Sequence, residues 1–306
     1  MLLKNVFRVS GIANIVLAVS IMATCAIAGT DKLVVAVSYA PYARIVNAVG
    51  GEMVEVVTML PPGTDLSTYV PKPEELMEFS RADVYFTDGS GADTAWLPRF
   101  KQLKKSIDVV DVSDNVVWNH PQSGVRDPNI WISPKQMAKI ASNVSKALTK
   151  YMPEKNEYFV VKLSIILQQM NRVDDNLKRS VLMLPENLRV AIVPRPLYGY
   201  LAQDYKLKQV SVNISGNAPT PKELDRLIEE GRKNNARLVF VTPQFSQESI
   251  QKIKKELNAK VVVLDDLSYN FLENVKNIHA AVKEIVDERL KEALADPTKN
   301  PKLKKK

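Results

Sequence analysis

The sequence is poor in the residues that make metal and redox chemistry. Among 306 residues there is one cysteine, Cys25, and there are two histidines, His120 and His279. A disulfide needs two cysteines and a thiolate zinc site needs several, so both are excluded. Long apolar runs are scarce as well. The run from Ile12 to Ala28 falls short of the roughly 20 residues that a membrane span requires. There is no Gly-rich phosphate loop, no nucleophile–histidine pair in a motif and no helical zinc signature, which leaves no enzyme reading.

Basic charge is also missing from the body of the chain. The formal net charge is +8, but Lys4 and Arg8 supply two of it. Lys299, Lys302, Lys304, Lys305 and Lys306 supply five more, leaving +1. No groove for nucleic acid is implied. Residues 295–306 are expected to be a lysine-rich solubilising tail, with contact to anionic lipid as the alternative.

At the other end, Lys4 and Arg8 precede the apolar run, which closes on Ala26-Ile27-Ala28. A positive start, an apolar middle and a small-x-small end describe a secretory signal peptide over residues 1–28, cleaved near Ala28. The protein is then exported, to the periplasm or the cell surface. Lipidation at Cys25 is the less favoured alternative, because Met22 and Thr24 fit a lipobox poorly.

With 45% hydrophobic and 25% charged residues, the rest is long enough for two packed lobes. Strands are expected at Leu33–Ser38, Met53–Met59, Asp83–Thr87 and Ile107–Val112, with a helix over Tyr42–Val49 stopped by Gly50-Gly51. A second set falls at Arg189–Val193, Gln209–Val212, Arg237–Val241 and Lys260–Leu264, with helices at Pro221–Lys233 and Gln247–Leu257 and a closing helix over Tyr269–Ala293. Between the sets, Phe159, Leu163, Ile166, Met170, Val173, Leu177 and Val181 recur at spacings of three and four, the stripe of a long amphipathic helix. The expected fold is α/β, with two similar lobes of mostly parallel sheet, joined by one long backbone helix around a ligand cleft. The expected units are residues 29–134 (N-terminal lobe), 135–186 (linking helix region) and 187–294 (C-terminal lobe).

In open parallel sheets, ligands bind beyond the strand ends. The loops there read PPGTDLSTYVPKP (Pro61–Pro73), RDPNIWISP (Arg126–Pro134), PRPLYGYLA (Pro194–Ala202) and LDDL (Leu264–Leu267). Together with SRADVYF (Ser80–Phe86), YGYLAQDYKL (Tyr198–Leu207) and PTPKEL (Pro219–Leu224), these phrases resemble the zinc- and manganese-binding solute-binding proteins of ABC transporters. The likeness runs from Leu33 to about Arg289, in order and with matching spacing.

The resemblance implies a divalent ion held in the cleft by three histidines and one acidic residue. Here those positions fall on Ser67, Asn129, Arg195 and Asp265, so only the carboxylate is retained. Ser67 and Asn129 offer neutral oxygen, whereas a guanidinium has no lone pair to give. At 4 Å it would repel a divalent ion by roughly 8 kcal/mol at an effective dielectric of about 20. Zinc or manganese would enter as transported ligand, not as resident cofactor.

Three readings stay open. The cleft binds a divalent metal or metal complex through a rebuilt site. It binds a small anionic or zwitterionic solute through Arg195 and Asp265. Or Arg195 pairs with Asp265 and locks the cleft of a metal-free interaction protein. Tyr69, Trp131 and Tyr198 are candidate walls, or simply interlobe packing. His120 and Asp266 are auxiliary candidates; Asp265, Asp266 and Asp127 together are a candidate hard site for calcium or magnesium. His279 is expected to pack or face solvent. The resemblance implies a membrane permease as partner, and a monomer is expected.

Overall fold

The computed structural model describes residues 32–60, 69–89, 91–119, 127–214 and 218–295. The signal segment with Cys25, Ser67, His120 and the lysine tail lie outside the described residues.

Two four-stranded sheets share one topology. In the first, β1 (Leu33–Val37), β2 (Val54–Thr58), β3 (Val84–Thr87) and β4 (Asp108–Asp111) run in the order β2-β1-β3-β4. In the second, β5 (Val190–Val193), β6 (Lys208–Ser211), β7 (Leu238–Val241) and β8 (Lys260–Val263) run β6-β5-β7-β8. All neighbours are parallel, and helices α1 (Ala40–Gly50), α2 (Pro73–Arg81) and α3 (Gly91–Leu103) connect the strands of the first sheet. Three central strands, β3, β5 and β7, are buried along their whole length, and β1 over its last three residues, as strands covered on both faces must be. Charged residues gather on the outer strands, at Glu55, Asp108, Asp111, Lys208 and Lys260, where they discourage pairing with another chain.

The linking region holds the expected long helix, with a shorter one before it. Helix α4 (Pro134–Tyr151) is capped by Ser133, whose hydroxyl accepts from the Gln136 N–H at 3.1 Å, with Pro134 in the first turn. It ends because Pro153 has no N–H to donate and disfavours a helical residue before it; Met152 sits at φ −135°, ψ 73°. After one 3₁₀ turn, α5 (Asn156–Met183) runs for 28 residues. Of the predicted stripe, Phe159, Ile166, Met170, Val173, Leu177 and Val181 are buried, each worth about 1.5–3 kcal/mol relative to exposure.

These side chains join the lobes. One continuous apolar cluster runs from Val35 and Val37 of β1 through α4 and α5 to Leu238 of β7 and Val282 of α9 (Phe271–Ala295). Smaller clusters lie around Phe79, Tyr85 and Phe100 and around Leu227, Val239 and Ile253. A core shared between lobes resists large hinge motion, since packed interiors transmit strain instead of absorbing it.

His279 on α9 is half-buried against α5, its Nδ1 2.9 Å from the Ser180 hydroxyl. Burial, then the charge of Lys283, hold its pKa below the ordinary 6.5. The neutral ring is therefore the folded form, and its contribution to stability is present above pH 6.5 and lost as pH falls through the lower folded value. Urea midpoints measured between pH 7.5 and 5 should fall less steeply in His279→Gln than in the parent. Equal slopes would rule this histidine out as a source of acid sensitivity.

Candidate functional site

The two strands at which each sheet reverses direction of winding end alike. Tyr39 lies two residues past β1, and Arg195 lies two residues past β5. Such switch points are where open α/β sheets hold ligands.

The segment from Asp127 to Ser133 braces the lobes. The Trp131 indole N–H donates to the Asp266 carbonyl at 2.7 Å, across 135 positions of sequence. Its ring is buried and lies 4.5 Å from that of Tyr39. The Ser133 hydroxyl donates to the carboxylate of Asp204 on α6 (Gly199–Tyr205). Tyr200, also on α6, donates to the Asp127 carbonyl at 2.7 Å and accepts from the Asn119 N–H at 3.1 Å. The odd positions 127, 131 and 133 thus reach the second lobe, and the frame is a structural tie.

Asn129 stands between those ties and points elsewhere. Its backbone N–H and its side-chain amide both donate to Asp127 Oδ1, at 3.0 and 2.8 Å. Burial raises the Asp127 pKa, and these two bonds oppose the rise. The second carboxylate oxygen faces Gly199, where an added Cβ would come within 2.9 Å of it. Gly199→Ala should therefore displace Asp127 and cost about 1–3 kcal/mol, as overpacking does. In an Asp127→Ala background the same change should cost less. Additive urea-denaturation values would refute the contact.

Arg195 does not close the cleft by itself. Among the described residues no ion pair within 4.0 Å joins it to Asp265, so the expected lock is not formed. The Asp265 loop is organised locally instead. Its carboxylate accepts from the Leu267 N–H at 3.3 Å, and Asn274 bonds both its N–H and its carbonyl, at 3.2 and 2.6 Å. The charge of Arg195 acts on Asp266, whose pKa is raised by burial and lowered by that guanidinium. It acts too on Tyr198, whose hydroxyl burial holds firmly protonated. That hydroxyl is buried, has no hydrogen-bond partner among the described residues, and sits on a ring packed edge-on against Phe240 at 5.4 Å. Tyr198 and Asp266 line a small cavity of about 10 Å³ with Trp131, roughly the room of a single water.

Other sequence candidates part company. Tyr69 belongs to the first lobe: it donates to Glu75 and packs on Trp96 at 6.3 Å. Asp127, Asp265 and Asp266 do not converge, since no group of three His, Cys, Asp or Glu able to hold a metal exists among the described residues. A buried acidic hub has no counterpart among the sequence candidates. Asp93 accepts from Ser38, from Tyr85 and Thr87 at 2.5 Å each and from the Asp88 N–H at 2.8 Å, while Tyr42 donates to Asp88. Its one signal in the sequence is polar residues directly after two apolar strands.

Comparison with known proteins decides the kinship. Residues 35–288 match the family described as zinc-uptake complex component A, periplasmic. The chain belongs to that family. The manganese ABC transporter substrate-binding lipoprotein PsaA of Streptococcus pneumoniae is 22% identical over 247 residues, 76% of this chain and 79% of its own. The iron-binding protein YfeA of Yersinia pestis is 22% identical over 277 residues, 85% of this chain and 88% of its own. A crystal structure of ZnuA superposes with a TM-score of 0.71 at 30% identity, covering 84% of this chain and 99% of that one. The family's two-lobed α/β fold is the fold described here, and the family is a substrate-binding transporter component.

Proposed function

We propose that this chain is the exported solute-binding component of a metal ABC transporter, and that it takes its divalent metal as an anionic chelate. It is exported behind residues 1–28 and delivers its cargo to a membrane permease. It performs binding and no catalysis.

The observation that carries the reading is the position of Arg195, two residues past β5 at the switch point of its sheet, with its charge felt by Asp266 past β8. A fixed guanidinium repels a bare divalent ion, yet it binds a carboxylate of a chelate through two parallel hydrogen bonds. Asp265 or Asp266 can then complete the metal's own coordination. The same grouping suits a metal-free anion or zwitterion, which is the second reading.

Thermal unfolding of chelator-treated protein separates them. Zinc chloride, zinc citrate and citrate are added in turn. The expected result is a saturable shift with zinc citrate alone; a ligand at 100 times its Kd adds about 2.7 kcal/mol, several degrees at roughly 2–4 °C per kcal/mol. A shift with citrate alone selects the metal-free solute. A shift with zinc chloride would show a direct metal site and overturn the chelate reading. No shift with any of the three would point to the interaction protein.

A further inference from the structure

A second cavity lies away from these residues, between the linking helix and the last helix. It measures about 420 Å³ and is lined by Gln169, Arg172, Val173 and Asn176 of α5 and by Leu272, Lys276 and His279 of α9. That volume falls in the range of small-molecule pockets, about 300–1,000 Å³. Its chemistry is sorted. Arg172 and Lys276 bring positive charge from two different helices. Among the described residues, Arg172 has no carboxylate within 4.0 Å, and Lys276 is held by Glu273 at 2.9 Å. Val173 and Leu272 supply an apolar floor, and Gln169 and Asn176 supply amides.

The histidine adds a third requirement. Ser180 has one hydroxyl proton, and it donates to the Asn176 carbonyl at 3.0 Å. With that proton on the carbonyl, its oxygen accepts from His279 Nδ1–H at 2.9 Å, the tautomer this pairing favours. Nε2, on the other side of the ring, keeps its lone pair and asks for a donor.

We propose that this cavity binds a small organic acid: a carboxylate or sulfonate with an apolar ring or chain and one N–H or O–H. The acid group lies between Arg172 and Lys276, the apolar body on Val173 and Leu272, and the donor against His279 Nε2. Nothing in the transport reading requires such a site, and it uses none of the cleft residues. A ligand there would fasten the last helix of the second lobe to the helix that links the lobes.

The probe is 8-anilinonaphthalene-1-sulfonate, which carries an acid, an apolar body and an N–H. Titration of the full mature protein should give a saturable rise in fluorescence with one site. Arg172→Ala/Lys276→Ala should weaken it tenfold or more. Both side chains are exposed, so circular dichroism melting should show the fold retained. His279→Phe, which keeps a ring but removes the acceptor, should weaken binding severalfold. The proposal is overturned by a non-saturable titration, or by a double variant that melts normally and binds the probe within twofold of the parent.

Discussion

Converting Ser67, Asn129 and Arg195 to histidine together is expected to turn a protein indifferent to zinc salts into one that binds them. The guanidinium is the largest obstacle. At about 8 Å and an effective dielectric of about 20, a unit positive charge repels a divalent ion by roughly 4 kcal/mol, about three decades of affinity. Arg195→His alone should therefore recover more than either other single change, and the two further imidazoles add nitrogen ligands. Asn129→His carries a side cost, because the Asn129 amide now satisfies Asp127 Oδ1. Zinc titration calorimetry on the singles and the triple measures the order. A triple variant that still ignores zinc would mean that the loops around these three positions do not hold the family's geometry.

Trp131→Ala should be the most damaging single substitution in the tie between lobes. The indole is buried, packs against the tilted ring of Tyr39 and bonds the Asp266 carbonyl. Removing a buried tryptophan costs about 3–5 kcal/mol. At roughly 2–4 °C per kcal/mol, the melting temperature should fall by about 6–20 °C. Trp131→Phe separates the two contributions. It keeps an aromatic body but leaves the Asp266 carbonyl without its donor, which costs about 1–3 kcal/mol. A loss under 1 kcal/mol in Trp131→Ala would show that the lobes are held by α5 and its shared core alone.

The fold is largely legible in the sequence because the chain is locally consistent. Helices α7 (Pro221–Lys233) and α8 (Gln247–Leu257) match their expected bounds, since Thr220 and Ser246 cap their first turns and the apolar spacing is regular. The expected stripe begins only at Phe159, so it carries no sign of the stop that Pro153 imposes after Tyr151. The site is less legible for a different reason. A side chain's direction is not written in spacing. Asn129 turns to Asp127, Tyr69 to Glu75, and the Asp265 loop to Asn274, each because a nearer partner satisfies it. The unpartnered Tyr198 hydroxyl has no sequence signature at all, since it is defined by what the fold fails to place beside it.

The closure between Asn119 and Asp127 has a use in engineering. The Asp127 N–H donates to the Asn119 carbonyl at 2.9 Å, and the Tyr200 hydroxyl fastens both residues to α6. Whatever chain is spliced between those two points meets ends already fixed. Doubling its length then costs only about 0.6 kcal/mol of closure entropy. Asn119 and Asp127 are thus fixed anchor points between which an epitope, a fluorophore-binding peptide or a histidine-rich arm can be grafted.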